Sequence, residues 1–419
     1  MKKIHIRSRF DSIAAQVNLS GSKSESNRVL IISSLCDEAF SIRDISVSKD
    51  TTTLIDILTA LRSSSAEREL VFDVGAAGTV MRFVTALLSI TPGHFLITGS
   101  ERMKKRPIGI LVDALRDLGA EIEYVNEAGF PPLRIHGKKL QGGHISMNPT
   151  VSSQFVSAVL MIAPHTQQGV TISFNGVPVS KPYLDMTTSI MKYFGAQVQW
   201  NENRLEVEQG KYTGKDFVIE ADWSSASYWY SIAALSKKCD LFLGGLQEHS
   251  LQGDQVLTDL FLSLGVKTNF EEQGIRLTKQ NDFQLPEYFE FDFSSCPDLA
   301  QTLACTCAAL GIESKLTGLS TLNLKESRRI DALSEELKNF GIRTTVLGNS
   351  GIEIHRGNLF PPKNTVKTYA DHRMAMAFAP LALVCKELVI EDPMVVEKSY
   401  PAFWNDLEHA GFETEVEIA

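Results

Sequence analysis

No apolar run in the 419 residues reaches the ~18 positions that a membrane-spanning helix needs. Even Phe83 to Ile90 is broken by Thr85 and Ser89 and followed closely by Pro92. The opening MKKIHIRSRF alternates basic with apolar side chains and lacks the apolar centre of a secretory signal. A soluble, cytoplasmic protein with no membrane partner is therefore expected. Cysteine is sparse: Cys36, Cys239, Cys296, Cys305, Cys307 and Cys385 contain no C-x-x-C pair. Neither a disulfide framework nor a thiolate metal site follows from that spacing. The nine His show no H-x-x-x-H or H-E-x-x-H pattern, so no metal is expected. Positive charge is also short, with 41 Lys+Arg against 50 Asp+Glu and a net charge of −9. That balance excludes a general nucleic-acid binder and leaves room only for a local basic cleft. Low-complexity tracts are absent, and the length suits two or three domains, each with its own core.

What the sequence does contain is a repeat. LVDALRDLGAEIEY, TTSIMKYFGAQVQW, LTDLFLSLGVKTNF, LSEELKNFGIRTTV and FWNDLEHAGFETEV each space apolar residues helically, stop at Gly, then alternate as a strand. Their glycines, Gly119, Gly195, Gly265, Gly341 and Gly411, are 76, 70, 76 and 70 residues apart. TTTLIDILTAL is a sixth copy without the closing Gly. Between these lie six runs that are apolar on nearly every face: VLIISSL, VMRFVTALLSI, FVSAVLMIA, SASYWYSIAAL, LAQTLACTCAAL and MAMAFAPLALV. Helices of that kind belong in a core. The chain is expected to consist of six units, each with one buried helix, one amphipathic helix and intervening strands.

Each buried run follows a short polar segment: GSKSESNR, GAAGT, TVSSQ, ADWSS, SSCPD or TYADHR. Residues of these types satisfy the free N–H groups of a helix start, where the helix dipole places about half a positive charge. The segments nevertheless carry cations. Lys23 and Arg28 bracket the first, Arg82 follows the second, and His372 and Arg373 close the sixth. Arg106 precedes an amphipathic helix, and LKESRR brings Lys325, Glu326 and Arg329 to another. Cations at helix starts oppose the dipole, and a bound anion resolves that conflict. GSKS is not a nucleotide P-loop, because Ser22 and Val17 occupy the two positions that motif reserves for Gly.

GSKSESNR, GAAGTVMR, RMKKRPIG, SSQF, SKPY, LKESRR, ADHRMAMAF and EKSYP resemble, in order and spacing, the motifs of the 5-enolpyruvylshikimate-3-phosphate synthases, within the enolpyruvyl transferase family. The resemblance runs from about Gly21 to Pro401. It implies an α/β fold of two similar domains, each of three repeated units with buried parallel helices and strands outside, clamping a ligand between them. The implied domains are residues 1–20 with 222–419, and an inserted 21–221, with crossings near Ser20 and Asp222. The implied reaction moves the enolpyruvyl group of phosphoenolpyruvate to the 5-hydroxyl of shikimate 3-phosphate, releasing phosphate by addition and elimination. It needs no cofactor and no nucleic acid, and a monomer is expected.

Position by position, the resemblance implies that Lys23, Ser24, Arg28, Ser152, Ser153, Gln154, Ser180, Tyr183, Asp298 and Lys325 bind shikimate 3-phosphate. Lys23, Gly78, Arg106, Gln154, Arg329, Arg373 and Lys398 fall to phosphoenolpyruvate. Asp298 matches the base toward the 5-hydroxyl, and Glu326 and Lys23 match the groups that move a proton at C3. This chain departs from the usual pattern at Ala76, Thr321, Asn323 and Arg328, which bears on substrate affinity more than on the reaction. A UDP-N-acetylglucosamine enolpyruvyl transferase would carry a Cys near Arg106, yet none lies between Cys36 and Cys239. A six-unit DNA clamp would spread its cations along pore-facing helices rather than gather them at helix starts.

Overall fold

A computed structural model describes residues 2–63, 68–148, 152–176 and 178–417, so Thr150 and Val151 of the TVSSQ segment lie outside the described residues. The chain divides into two compact units: Met1–Gly21 with Glu220–Ala419, and Ser22–Ile219. Each has its own apolar core. No helix among the described residues is long and apolar enough to cross a membrane.

Four of the sheets share one topology. In the first, Leu70–Asp73 pairs in parallel with Gly93–Thr98, which pairs antiparallel with Leu133–Gly137, which in turn pairs with Glu121–Tyr124. Writing the strands in chain order, the sheet order is therefore first, second, fourth, third. The same order recurs in the sheets that begin at Ser12–Asn18, Gly143–Met147 and Tyr288–Asp292. The buried helix crosses from first to second strand, and the amphipathic helix leads from second to third. All five glycines that close the amphipathic helices have φ between +81° and +102°. A side chain would be strained in that conformation, which is why the sequence repeats Gly there.

Two further copies are completed by distant chain. The last copy begins with a single parallel bridge, Val366 to Ile390, and continues through Glu387–Glu391 and Glu413–Glu417. Its fourth strand is supplied by Lys3–Arg7, which pairs antiparallel with both. Ile4 and Ile6 point into the core at 0% exposure, whereas Lys3 faces Glu391 and Glu417, and Arg7 faces Glu387 and Glu413. The basic alternation of the N-terminus is thus matched by glutamates on both neighbours. Exposed pairs such as Arg7 to Glu387 at 3.0 Å stabilise weakly. A one-residue slip, however, would exchange the buried and charged faces, so the pattern fixes register. Among the described residues the remaining copy pairs Ile42–Arg43 in parallel with Phe217–Val218 and shows no closing hairpin, in keeping with the missing Gly after TTTLIDILTAL.

Gly137 ends its strand against the last turn of the Gly78–Ile90 helix. A Cβ there would lie 1.7 Å from the Thr91 carbonyl oxygen and 2.4 Å from that of Leu88, both backbone atoms. Gly137→Ala is expected to destabilise the protein by about 1–3 kcal/mol through overpacking. Urea unfolding would register this as a lower midpoint with an unchanged slope.

Candidate active site

In the Ser22–Ile219 unit, the buried helices Lys23–Leu35, Gly78–Ile90 and Ser153–Ile162 pack together. Ser22 and Ser152 cap two of them, each accepting a backbone N–H at 3.4 Å. The third starts after Ala77 with no side-chain cap. Gln154 Nε2 donates to Thr79 Oγ1 at 3.2 Å and so joins two of the starts.

Arg28 is the buried centre of this group, at 2% exposure. Its Nε donates to Thr187 Oγ1 at 2.7 Å, Nη1 to the Ser24 carbonyl at 2.8 Å, and Nη2 to Ser157 Oγ at 3.3 Å and the Tyr183 carbonyl at 3.4 Å. It also sits over the Phe83 ring at 5.4 Å. Burial pushes its pKa down to about 10, against the opposing pull of Tyr183 and Glu25. Lys23 reaches Asp50 at 3.7 Å. The Arg106 guanidinium lies where a side chain on residue 78 would be: a Cβ on Gly78 would meet Nη1 at 2.5 Å and Cζ at 2.9 Å. Ser180, 8% exposed, holds the left-handed conformation at φ 55°, rare for a residue with a side chain. Such local strain marks binding sites more often than ordinary loops.

In the other unit, the starts of the Trp223–Leu235, Ala300–Leu310 and His372–Phe378 helices are tied together by charge. Asp222 caps the first through Ser225 N at 2.9 Å, and Asp371 caps the last through Arg373 N at 3.0 Å. The sequence suits Asp298 to a similar cap, but its carboxylate is turned to arginines. Oδ1 accepts from Arg329 Nη1 at 2.9 Å and Oδ2 from Arg373 Nη2 at 3.0 Å. Arg329, 2% exposed, also donates to Asp371 at 2.7 Å and to Glu326 at 2.8 Å. The other oxygen of Glu326 is paired with Lys398. Burial works against the Arg329 charge, but Asp371, Glu326 and Asp298 outweigh it and raise its pKa above the usual arginine value. Three cations and three carboxylates therefore share one largely dry network, the arrangement that makes buried charge tolerable. Two successive left-handed residues, Tyr369 and Ala370, each at φ 55°, lead into Asp371 and aim it.

Ten of the residues singled out by sequence thus lie in the Ser22–Ile219 unit: Lys23, Ser24, Arg28, Gly78, Arg106, Ser152, Ser153, Gln154, Ser180 and Tyr183. Asp298, Lys325, Glu326, Arg329, Arg373 and Lys398 lie in the other. Lys325 ends a 3-10 turn, Leu322–Leu324, immediately before Glu326. Sequence reasoning missed Asp371 and Ser224 as members of the charged network, because an acid or a Ser at a helix start reads first as a cap. The departures are also placed. Asn323 Oδ1 accepts Ile330 N at 3.1 Å and anchors the Arg329–Asn339 helix, and Arg328 forms a surface pair with Asp331 at 2.6 Å.

The chain matches the family model for EPSP synthase (3-phosphoshikimate 1-carboxyvinyltransferase) over residues 8–407. A 3-phosphoshikimate 1-carboxyvinyltransferase of Bacteroides fragilis is 45% identical over 410 residues, 96% of this chain and 97% of the relative. One of Methanoculleus marisnigri is 36% identical over 355 residues, 83% of this chain and 81% of the relative. The solved structure of an EPSP synthase from Acinetobacter baumannii shares the fold, with a TM-score of 0.79, 22% identity and 100% coverage of both chains.

Proposed function

Because the chain belongs to the EPSP synthase family, we propose that the two groups of side chains described above bind and transform that family's substrates. The protein transfers the enolpyruvyl group of phosphoenolpyruvate to the 5-hydroxyl of shikimate 3-phosphate and releases phosphate, a step of aromatic amino acid biosynthesis. Addition requires the hydroxyl to lose a proton as it attacks C2 while C3 gains one. Elimination then returns a C3 proton as phosphate leaves. The chemistry needs a base, a proton carrier near C3 and fixed positive charge around two phosphates and two carboxylates.

The observation that carries the assignment of roles is the clamp on Asp298, whose two oxygens are each held by an arginine. Asp298 is the base toward the 5-hydroxyl. Arg329 and Arg373, with Arg106 and Lys398, take the phosphate and carboxylate of phosphoenolpyruvate, and Gly78, Gln154 and Lys23 complete that set. As the incoming anion claims arginine donors, the grip on Asp298 relaxes and the carboxylate can accept a proton. Glu326 and Lys23 carry the proton to and from C3. Ser24, Arg28, Ser152, Ser153, Gln154, Ser180, Tyr183 and Lys325, joined by Lys23, hold shikimate 3-phosphate. All these residues belong to one chain, which supports a monomer. Substrates bearing phosphate esters are retained by membranes, which supports a cytoplasmic location.

Phosphate release measured in parallel with shikimate 3-phosphate and UDP-N-acetylglucosamine as acceptors tests this reading. Turnover is expected with the first alone, and turnover only with the second would overturn it. Gly78→Ala is expected to displace the Arg106 guanidinium and raise the KM for phosphoenolpyruvate about tenfold, the worth of one charged hydrogen bond. The KM for shikimate 3-phosphate should stay within about twofold. Steady-state kinetics with each substrate varied in turn separates the two.

A further inference from the structure

Behind Arg373 lies a buried acid that the reaction scheme leaves unused. The segment Gln252–Gly253–Asp254 grips the start of the Trp223–Leu235 helix. Gln252 accepts Trp223 N at 3.1 Å and donates to the Ala221 carbonyl at 2.8 Å and to Glu220 at 3.1 Å. Asp254, 4% exposed, then places Oδ2 against the Ser224 hydroxyl. Ser224 Oγ in turn accepts from Arg373 Nη2 at 3.3 Å, and the same nitrogen donates to Asp298 Oδ2 at 3.0 Å. The other oxygen of Asp254 is buried and has no hydrogen-bond partner among the described residues. An unpaired oxygen in so dry a place disfavours the ionised carboxylate. An acid that changes its charge does not need it engaged in both states.

We propose that Asp254 is a positioning residue that acts through Ser224 on Arg373 and sets how tightly Arg373 holds the base Asp298. The proposal rests on the assignment of Asp298 as base. When ionised, Asp254 accepts the Ser224 proton, leaving the Ser224 oxygen to accept from Arg373, and its negative charge shares the pull on that guanidinium. When protonated, Asp254 donates to Ser224 and its charge is gone, so Arg373 is left to Asp298 and the base is held more tightly. Burial pushes the Asp254 carboxyl up to about 7, with Asp298 and Asp222 adding to the rise and Ser224 and Arg373 opposing it. The groups facing it are Asp222 and Ser224 on one helix, Cys296 and Asp298 on the next segment, and Arg373 on the third. The switch therefore falls within the working range, and turnover should rise as pH rises through about 7.

Asp254→Asn retains the shape and an acceptor for Ser224 but stays neutral. The ratio of wild-type to variant kcat is expected to be about 1 at pH 6, where both are uncharged, and about tenfold at pH 8. A ratio constant across that range, including a ratio of 1 throughout, would overturn the proposal, since mere structural damage has no reason to follow pH. Should Asp254→Asn not fold, Ser224→Ala removes only the relaying hydroxyl. It is expected to shrink the pH-dependent rise, and an undiminished rise counts against the proposal. Asp298→Asn assayed alongside separates the two levels. Activity in that variant removes the base and with it this proposal, whereas an inactive Asp298→Asn with a flat Asp254→Asn ratio removes this proposal alone.

Discussion

Asp298→Ala is expected to lower kcat by about a thousandfold, in the range typical of a positioned general base. The circular dichroism spectrum should stay native. Both expectations come from the same geometry. Asp298 is the carboxylate gripped by two arginines at once, and Arg329 does not depend on it for charge balance. Arg329 retains Asp371 at 2.7 Å and Glu326 at 2.8 Å. Arg373 keeps its bonds to Ser224 and Tyr228. Losing the side chain removes the proton acceptor and the direct ion pair of Arg373, which keeps those two hydroxyls and the nearby Asp254 charge, so the larger penalty falls on turnover. Phosphate release under saturating substrates is the measurement. A kcat within tenfold of wild type would mean that the base lies elsewhere.

Arg329→Met is expected to show the opposite balance, with a loss of about 3–5 kcal/mol of stability in addition to lost activity. Arg329 is 2% exposed and faces Asp371, Asp298 and Glu326, so its removal leaves three acids crowded in a dry region beside Arg373 and Lys398, with the His372 ring 3.7 Å from Asp371. The sign of the pH dependence follows from that crowding. In the variant, burial and mutual repulsion favour the protonated acids in the folded state, so the folded protein binds more protons than the unfolded chain and gains stability as pH falls. The stability gap to wild type should accordingly narrow between pH 7 and pH 5. Denaturant titrations at the two values decide the matter, and a gap that widens toward pH 5 would contradict the assigned charge network.

Much of the architecture is legible in the sequence because it rests on local rules repeated many times. Gly119, Gly195, Gly265, Gly341 and Gly411 each mark a helix end that only a positive φ can turn, and all of them have one. The six apolar runs are buried helices for the simple reason that no polar face exists to expose. Cations placed against the helix dipole at Lys23, Arg28 and Arg373 betray anion chemistry before any fold is known. Other features stay hidden for physical reasons. The pairing of Lys3–Arg7 with strands near the opposite end of the chain, and of Phe217–Val218 with Ile42–Arg43, involves segments too distant and too short for any local pattern to report. Asp371, Ser224 and Asp254 are masked by ambiguity: polar residues near helix starts serve as caps far more often than as members of a charge relay. Asn323 shows the converse. It reads as a lost basic residue in a motif, and the fold reveals a side chain that anchors the next helix.

The strand Lys3–Arg7 has a consequence for how the protein is made. It leaves the ribosome well ahead of both its neighbours, Glu387–Glu391 and Glu413–Glu417, with Arg7 and Glu387 separated by 380 positions. The Ser22–Ile219 unit contains every strand of its own sheets and can close while synthesis continues. The Lys3–Arg7 strand must instead wait, with Ile4, Ile6 and two unpaired edges uncovered, until those distant strands are made. Its charged alternate positions, Lys3, His5 and Arg7, therefore serve the nascent chain as well as the finished sheet, keeping a solitary strand from pairing with the wrong edge until its glutamate-bearing partners emerge.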